Sequence, residues 1–250
     1  MTARLRLPNG IAACLFDLDG VITRTAEVHA AAWKQTFDSF LARHCADGAT
    51  AARPFDVDGD YVAHVDGRPR ADGVRTFLAS RGIALPEGTA SDPPSADTVH
   101  EVGRRKNELV QELIARDGVA AYEGSVRFLA ATRAAGLACA LVTSSENGSA
   151  VLNAAALEHA FEVTVDGAVA NELGLAGKPA PDVFLEATRR LEVAPARAAV
   201  FEDALAGIAA GSAGGFGLVV GVDRIGQPDE LRAAGADIVV EDLAELLSER

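Results

Sequence analysis

The sequence predicts a doubly wound α/β fold: a parallel sheet between helices, with a mostly helical cap inserted after the first strand. Three observations predict it. Five apolar runs of strand length recur along the chain, and each is followed by a helix-like segment rich in Ala, Leu and charged residues. The runs are continuously apolar rather than alternating, which marks strands buried on both faces, as in parallel sheets. Their polar residues cluster at the carboxyl ends, where sheets of this kind place their ligands.

The first run is IAACLFD (11–17), closing on Asp17. Four others follow the interruption: LACALVTSS (137–145), ARAAVFED (196–203), FGLVVGV (216–222) and ADIVVED (236–242). Between residues 25 and 117 no run of that strength occurs. TAEVHAAAWKQTFDSFLARH (25–44) instead reads as a helix, with Trp33, Phe37, Phe40 and Leu41 on one apolar face. Gly/Asp/Pro-rich joints follow at 46–60, 66–73 and 86–97, and then the charged helix ADTVHEVGRRKNELVQELIARDG. The expected division is a core of residues 1–24 and 118–250 and a cap of residues 25–117.

A chain of 250 residues suits a core plus a smaller cap. The formal net charge of −13 and the lack of a basic face exclude a nucleic-acid binder. A phosphate site in such a chain must be locally positive. Cys14 and Cys139 sit in strand-like runs and read as core residues. With Cys45 they make an odd set without framework spacing, which points to a reducing compartment. The N-terminal MTARLRLPNG carries no long apolar run, and no stretch is long enough to span a membrane. The expectation is a cytoplasmic protein. Only Lys34, Lys106 and Lys178 are lysines among 23 basic residues, so a lysine can mark a place that needs a compact charge.

Four motifs carry chemistry. FDLDGV (16–21) sets two carboxylates two residues apart after a strand. Asp17 can attack phosphorus and bind a cation, and Asp19 can give and take a proton. VTSS (142–145) offers hydroxyls and backbone N–H groups at a strand-to-helix junction, through Thr143 and Ser144, with Asn147 as a further donor. Capping by Ser144 or Ser145 is the competing reading. GKPAPDVF (177–184) holds Lys178, either a solvated loop residue or the cation that neutralises a phosphorylated carboxylate. VFEDALAGIAA (200–210) ends a strand on Glu202 and Asp203, which suit a hard cation such as Mg2+ or favour a helix dipole.

In this order the four motifs resemble the haloacid dehalogenase superfamily, over nearly the whole chain. Within it, FDLDGVITRTAEVHAAAWK (16–34), RRKN (104–107), GKPAPDVF and FEDALAGI (201–208) resemble the β-phosphoglucomutase-like family. The resemblance implies a Rossmann-like core with a helical cap. It implies that Asp17 is phosphorylated and Asp19 is the general acid/base. Mg2+ would be held by Asp17, the Asp19 backbone carbonyl and Asp203, with Glu202 close by. Thr143, Ser144, Asn147 and Lys178 would hold the transferring phosphoryl group. Thr25, His29 and Trp33 would line the joint of cap and core, although Trp33 also reads as a core anchor. Arg70, with Arg68 as its rival, would take the substrate's distal phosphate, and Lys106 would face the cleft. The implied reaction interconverts β-glucose 1-phosphate and glucose 6-phosphate in a monomeric enzyme. Its alternative is a sugar-phosphate phosphatase with the same core motifs. A dehalogenase has no use for Asp19, and a non-catalytic phosphosugar module has no use for the whole set. Three departures from the family stand out: Glu146 where lysine is usual, Arg24 where aspartate is usual, and a longer segment at 43–65.

Overall fold

The computed structural model describes residues 4–45 and 53–248. Residues 46–52, part of the joint 46–60 and of the long segment 43–65, lie outside them, as do the first three residues of MTARLRLPNG. The chain divides into two compact units, Met1–Thr25 with Val119–Arg250, and Ala26–Gly118.

The first unit is built on six parallel strands in the order β4-β3-β2-β5-β6-β7. They are β2 (Ala13–Phe16), β3 (Ala138–Val142), β4 (Val163–Val165), β5 (Ala198–Glu202), β6 (Leu218–Val222) and β7 (Ile238–Val240). A separate antiparallel pair joins β1 (Arg4–Leu5) to β8 (Leu247–Ser248). The chain starts at central β2, moves outward through β3 and β4, and returns to β5 on the other side of β2. The direction of winding therefore reverses at β2, which opens a crevice at the carboxyl ends of β2, β3 and β5. Register places Cys14 beside Cys139 and Phe16 beside Phe201. Both cysteines are buried. Phe16 stacks on Phe201 with ring centroids 4.7 Å apart and meets Phe128 edge-on. This aromatic cluster anchors the residue just ahead of Asp17.

Numbered along the chain, helices α1–α4 belong to the second unit and α5–α10 to the first. The latter are α5 (Glu123–Ala134), α6 (Gly148–Ala154), α7 (Gly167–Leu173), α8 (Asp182–Arg190), α9 (Leu205–Ala213) and α10 (Pro228–Ala234). Among the described residues, no helix is long and apolar enough to cross a membrane.

The second unit comprises α1 (Ala26–His44), α2 (Asp60–His64), α3 (Arg70–Ser80) and α4 (Val99–Asp117). Its core gathers Trp33, Phe37, Phe40 and Leu41 of α1 with Phe55, Phe77 and Leu78. α3 corrects the reading of 66–73 as a joint, for the helix begins at Arg70, directly after Pro69. Its apolar signal was masked by Asp72 and Gly73 in the first turn. Gly73 is there for packing: a Cβ on it would lie 3.3 Å from the Trp33 ring.

The chain leaves and re-enters the first unit side by side. Arg24 N–H donates to Ala120 O (2.8 Å), Tyr122 N–H donates to Ile22 O (2.9 Å), and Thr23 bridges antiparallel to Ala121.

Candidate active site

Asp17 follows directly on β2, and its N–H donates to Phe201 O at 2.9 Å. Lys178 comes from the loop between α7 and α8, where the Lys178–Pro179 peptide is cis. Its ammonium donates to Asp17 Oδ1 (2.5 Å), Glu202 Oε1 (2.5 Å) and Val142 O (3.2 Å). Three protons thus meet three acceptors, one at the end of each of β2, β5 and β3. Lys178 is 1% exposed, so it is no solvated loop residue. Burial opposes its charge, but Asp17 and Glu202 outweigh burial and hold its pKa above the ordinary value. Burial also pushes the Asp17 carboxyl up; Lys178 pulls it down, while Glu202 and Asp19 push it up further.

Negative charge remains in excess around that lysine. Carboxylate oxygens of Asp17, Glu202 and Asp203 all lie within 4.8 Å of one another. An oxygen-rich cluster with one ammonium among three acids fits a hard divalent cation. Both sequence readings of the acid pair meet in Glu202. Its Oε2 accepts the N–H groups of Asp203 (2.9 Å) and Ala204 (3.0 Å) at the start of α9, while Oε1 faces Lys178.

Asp19 lies in the turn after β2. Thr25 Oγ1 donates to Asp19 Oδ1. The Thr25 hydroxyl also lies 2.6 Å from Thr23 Oγ1, which in turn lies 3.2 Å from Leu18 O. Gly20 closes the turn at φ +88°, and a Cβ there would fall 1.7 Å from Asp203 Oδ2. Gly20→Ala therefore meets both a left-handed backbone and Asp203. It is expected to destabilise by about 1–3 kcal/mol, read as a lower urea midpoint at unchanged m-value.

Beyond β3, Thr143 N–H donates to Val165 O (3.0 Å) and its hydroxyl accepts from Ser145 N–H (3.1 Å). Ser144 lies inside that turn. Ser145 Oγ accepts from Asn147 N–H (3.1 Å), and Asn147, rather than either serine, holds the position ahead of α6. Glu146 Oε1 accepts from Asn171 Nδ2 at 3.0 Å. Lys178, bound to Val142 O, stands next to this turn.

In the second unit the structure brings together His29, Trp33 and Lys106. Lys106 Nζ lies 2.8 Å from His29 Nδ1 and 5.0 Å from the Trp33 ring centroid. Because the ammonium can only donate, His29 Nδ1 accepts, which leaves the ring's proton on Nε2. Trp33 stacks on Phe37, with centroids 4.9 Å apart, and is a core anchor of its unit. Arg70 Nη1 donates to Asn107 Oδ1 (2.8 Å), and Gly103 makes room for the arginine stem. Thr25 belongs to the first unit, one residue ahead of α1. Sequence reasoning missed Thr23 and Asn107. Both stood in quoted runs, Thr23 in FDLDGVITRTAEVHAAAWK and Asn107 in RRKN, without being singled out.

A family model described as haloacid dehalogenase-like hydrolase matches residues 11–215. The β-phosphoglucomutase of Mycobacterium tuberculosis is 50% identical over 246 residues, covering 97% of this chain and 94% of that protein. The crystal structure of β-phosphoglucomutase from Clostridium difficile has a TM-score of 0.73 at 25% identity, covering 94% of this chain and 93% of that one. CbbY from Rhodobacter sphaeroides, in complex with xylulose 1,5-bisphosphate, has a TM-score of 0.70 at 26% identity, covering 94% and 96%. A family model that spans most of the chain and 50% identity over 94% of a relative show that the chain is an enzyme of the haloacid dehalogenase-like hydrolase family, in its β-phosphoglucomutase-like branch.

Proposed function

We propose that this enzyme interconverts β-glucose 1-phosphate and glucose 6-phosphate, carrying the phosphoryl group on Asp17. The observation that supports it most is the ammonium of Lys178 fixed on Asp17 and Glu202 at the carboxyl end of the central strand. Half-identity to a β-phosphoglucomutase supports the choice of substrate.

In the first half-reaction an Asp17 carboxylate oxygen bonds to phosphorus, and the bond from phosphorus to the leaving oxygen breaks. Asp19 gives that oxygen its proton. In the second, Asp19 takes the proton of a sugar hydroxyl, the hydroxyl oxygen bonds to phosphorus, and the Asp17–phosphorus bond breaks. Asp17 and Asp203, with the Asp19 backbone carbonyl, would hold Mg2+, which would neutralise charge on the phosphoryl oxygens. Lys178 stands beside Asp17 as a fixed cation, and Thr143, Ser144 and Asn147 supply donors for the phosphoryl group. Glu202 keeps Lys178 and the start of α9 in place. From the second unit, Arg70 takes the phosphate that is not reacting, and His29 and Lys106 contribute donors to the sugar.

Thr23 and Thr25 suit an acid/base that must alternate. With Asp19 ionised, Thr25 donates to it and Thr23 donates to Thr25. With Asp19 protonated, each bond reverses and Thr23 donates to Leu18 O. Neither state leaves a hydroxyl proton unsatisfied.

The family's description as a hydrolase favours a second reading, a sugar-phosphate phosphatase in which water replaces the sugar hydroxyl. Phosphorus NMR of the enzyme with β-glucose 1-phosphate, a bisphosphate primer and Mg2+ tests both. Glucose 6-phosphate is expected, and EDTA is expected to stop its appearance until Mg2+ is restored. Inorganic phosphate as the sole product would establish the phosphatase, and undiminished turnover without metal would overturn the Mg2+ assignment.

A further inference from the structure

The residue after β6 and Asp223 reaches the Asp17–Asp19 turn from outside. Asp223 fixes the segment it belongs to. Its N–H donates to Val240 O (2.8 Å), and its Oδ1 accepts from the N–H groups of Ile225 (3.2 Å), Gly226 (2.8 Å) and Gln227 (3.0 Å). Arg224 issues from this fixed turn. Its Nε donates to Gly20 O (2.7 Å) and its Nη1 to Glu241 O (2.7 Å). Its guanidinium carbon lies 3.6 Å from the centroid of the Tyr122 ring, and the guanidinium of Arg24 lies 4.7 Å from the same centroid.

Stability is a poor account of this arginine. Its Nη2 is buried and has no protein acceptor among the described residues. Burying a guanidinium nitrogen without an acceptor is unfavourable, and an apolar side chain could cover Tyr122 without that cost. An apolar side chain could not hold a carbonyl.

The carbonyl it holds is a consequential one. Gly20 follows Asp19 in the chain and meets Asp203 face on, with no room for a Cβ between them. The turn's own bonds, from Gly20 N–H to Thr23 O and from Ile22 and Thr23 N–H to Leu18 O, set its shape. They do not set where the turn stands relative to Asp203. Tyr122 N–H on Ile22 O (2.9 Å) and Ser125 Oγ on Val21 O (2.6 Å) hold it at residues 21 and 22, and Arg224 holds it at Gly20 itself, by tying Gly20 O to the ends of β6 and β7.

We infer that Arg224 is a positioning residue that sets the Asp19–Gly20 peptide against Asp203, and thereby sets how tightly the acid cluster holds its divalent cation. This rests on the Mg2+ reading above. A planar cation is required because Nε and Nη1 serve two different carbonyls while the flat face lies on Tyr122.

The test is calorimetric titration of Mg2+ into wild type, Arg224→Met and Arg224→Lys, with melting temperatures in EDTA and KM for the sugar phosphate measured alongside. Both variants are expected to bind Mg2+ about 10- to 100-fold more weakly, with KM for the sugar phosphate unmoved. Lysine fails with methionine because one ammonium cannot replace the fork. If the methionine variant does not fold, the lysine variant gives the answer alone. Lower melting temperatures with Mg2+ affinity equal to wild type would make Arg224 a structural residue and overturn the inference. Wild-type protein that binds no Mg2+ would overturn the metal reading first and this inference with it.

Discussion

Asp17→Asn is expected to give a folded protein that never carries phosphate and that turns over at least about 10⁴-fold more slowly. The amide keeps the oxygen that accepts from Lys178, so the three-strand junction at the sheet's end stays closed. The fold should tolerate the loss of charge, since burial, Glu202 and Asp19 all disfavour an ionised group at this place. What is lost is the nucleophile, because a neutral amide oxygen cannot replace a carboxylate in forming an acyl phosphate. Intact-mass spectrometry after incubation with a phosphoryl donor is the measurement. A phosphate adduct on the Asn variant would move the nucleophile elsewhere, and failure to fold would show that Asp17 is needed first as an ion.

The second large effect belongs to Lys178. Lys178→Met leaves Asp17 and Glu202 facing each other, buried and without their cation, at a cost of about 3–5 kcal/mol. For a chain of this length that is a fall in melting temperature of about 6–20 °C. Lys178→Arg keeps the charge, but a wide planar guanidinium cannot place three protons on Asp17, Glu202 and Val142 O in a space built for one tetrahedral nitrogen. It is expected to destabilise less than methionine, yet to lose about 10²–10³-fold in turnover. Differential scanning calorimetry and turnover separate the two effects. Arg-variant turnover near wild type would mean that the site needs the charge and not its placement.

The core was legible because its strands are long, apolar and followed by polar ends. β2, β3, β5, β6 and β7 all fall inside runs that the sequence displays. β4 escaped because Glu162 and Thr164 interrupt its apolar run, and β1 and β8 because two residues carry no period. α3 escaped because Asp72 and Gly73 break its apolar face, and Gly73 is explained by Val65 and the Trp33 ring, which crowd the place of a Cβ. At the site, acids at strand ends announce themselves by type and place. Lys178 was legible as a loop lysine, but its burial was not, since that depends on three strand ends converging on it. Arg224 and Tyr122 were invisible for a related reason. Each acts on a backbone carbonyl or a ring far away in the chain, and sequence spacing cannot report such a contact.

The paired crossings between the units have a consequence for descent and engineering. Arg24 and Ala120 are hydrogen-bonded neighbours, so to the rest of the first unit everything from Ala26 to Gly118 is a single hairpin loop of unusual content. The entropy of closing a loop rises only with the logarithm of its length. Exchanging this insert for a foreign one of comparable length would therefore burden the sheet about equally. An insert exchanged at this joint leaves Asp17, Asp19, Lys178, Glu202 and Asp203 in the first unit while replacing His29, Arg70 and Lys106, so a lineage can change what it recognises by recombination at one spot rather than by rebuilding its catalytic centre.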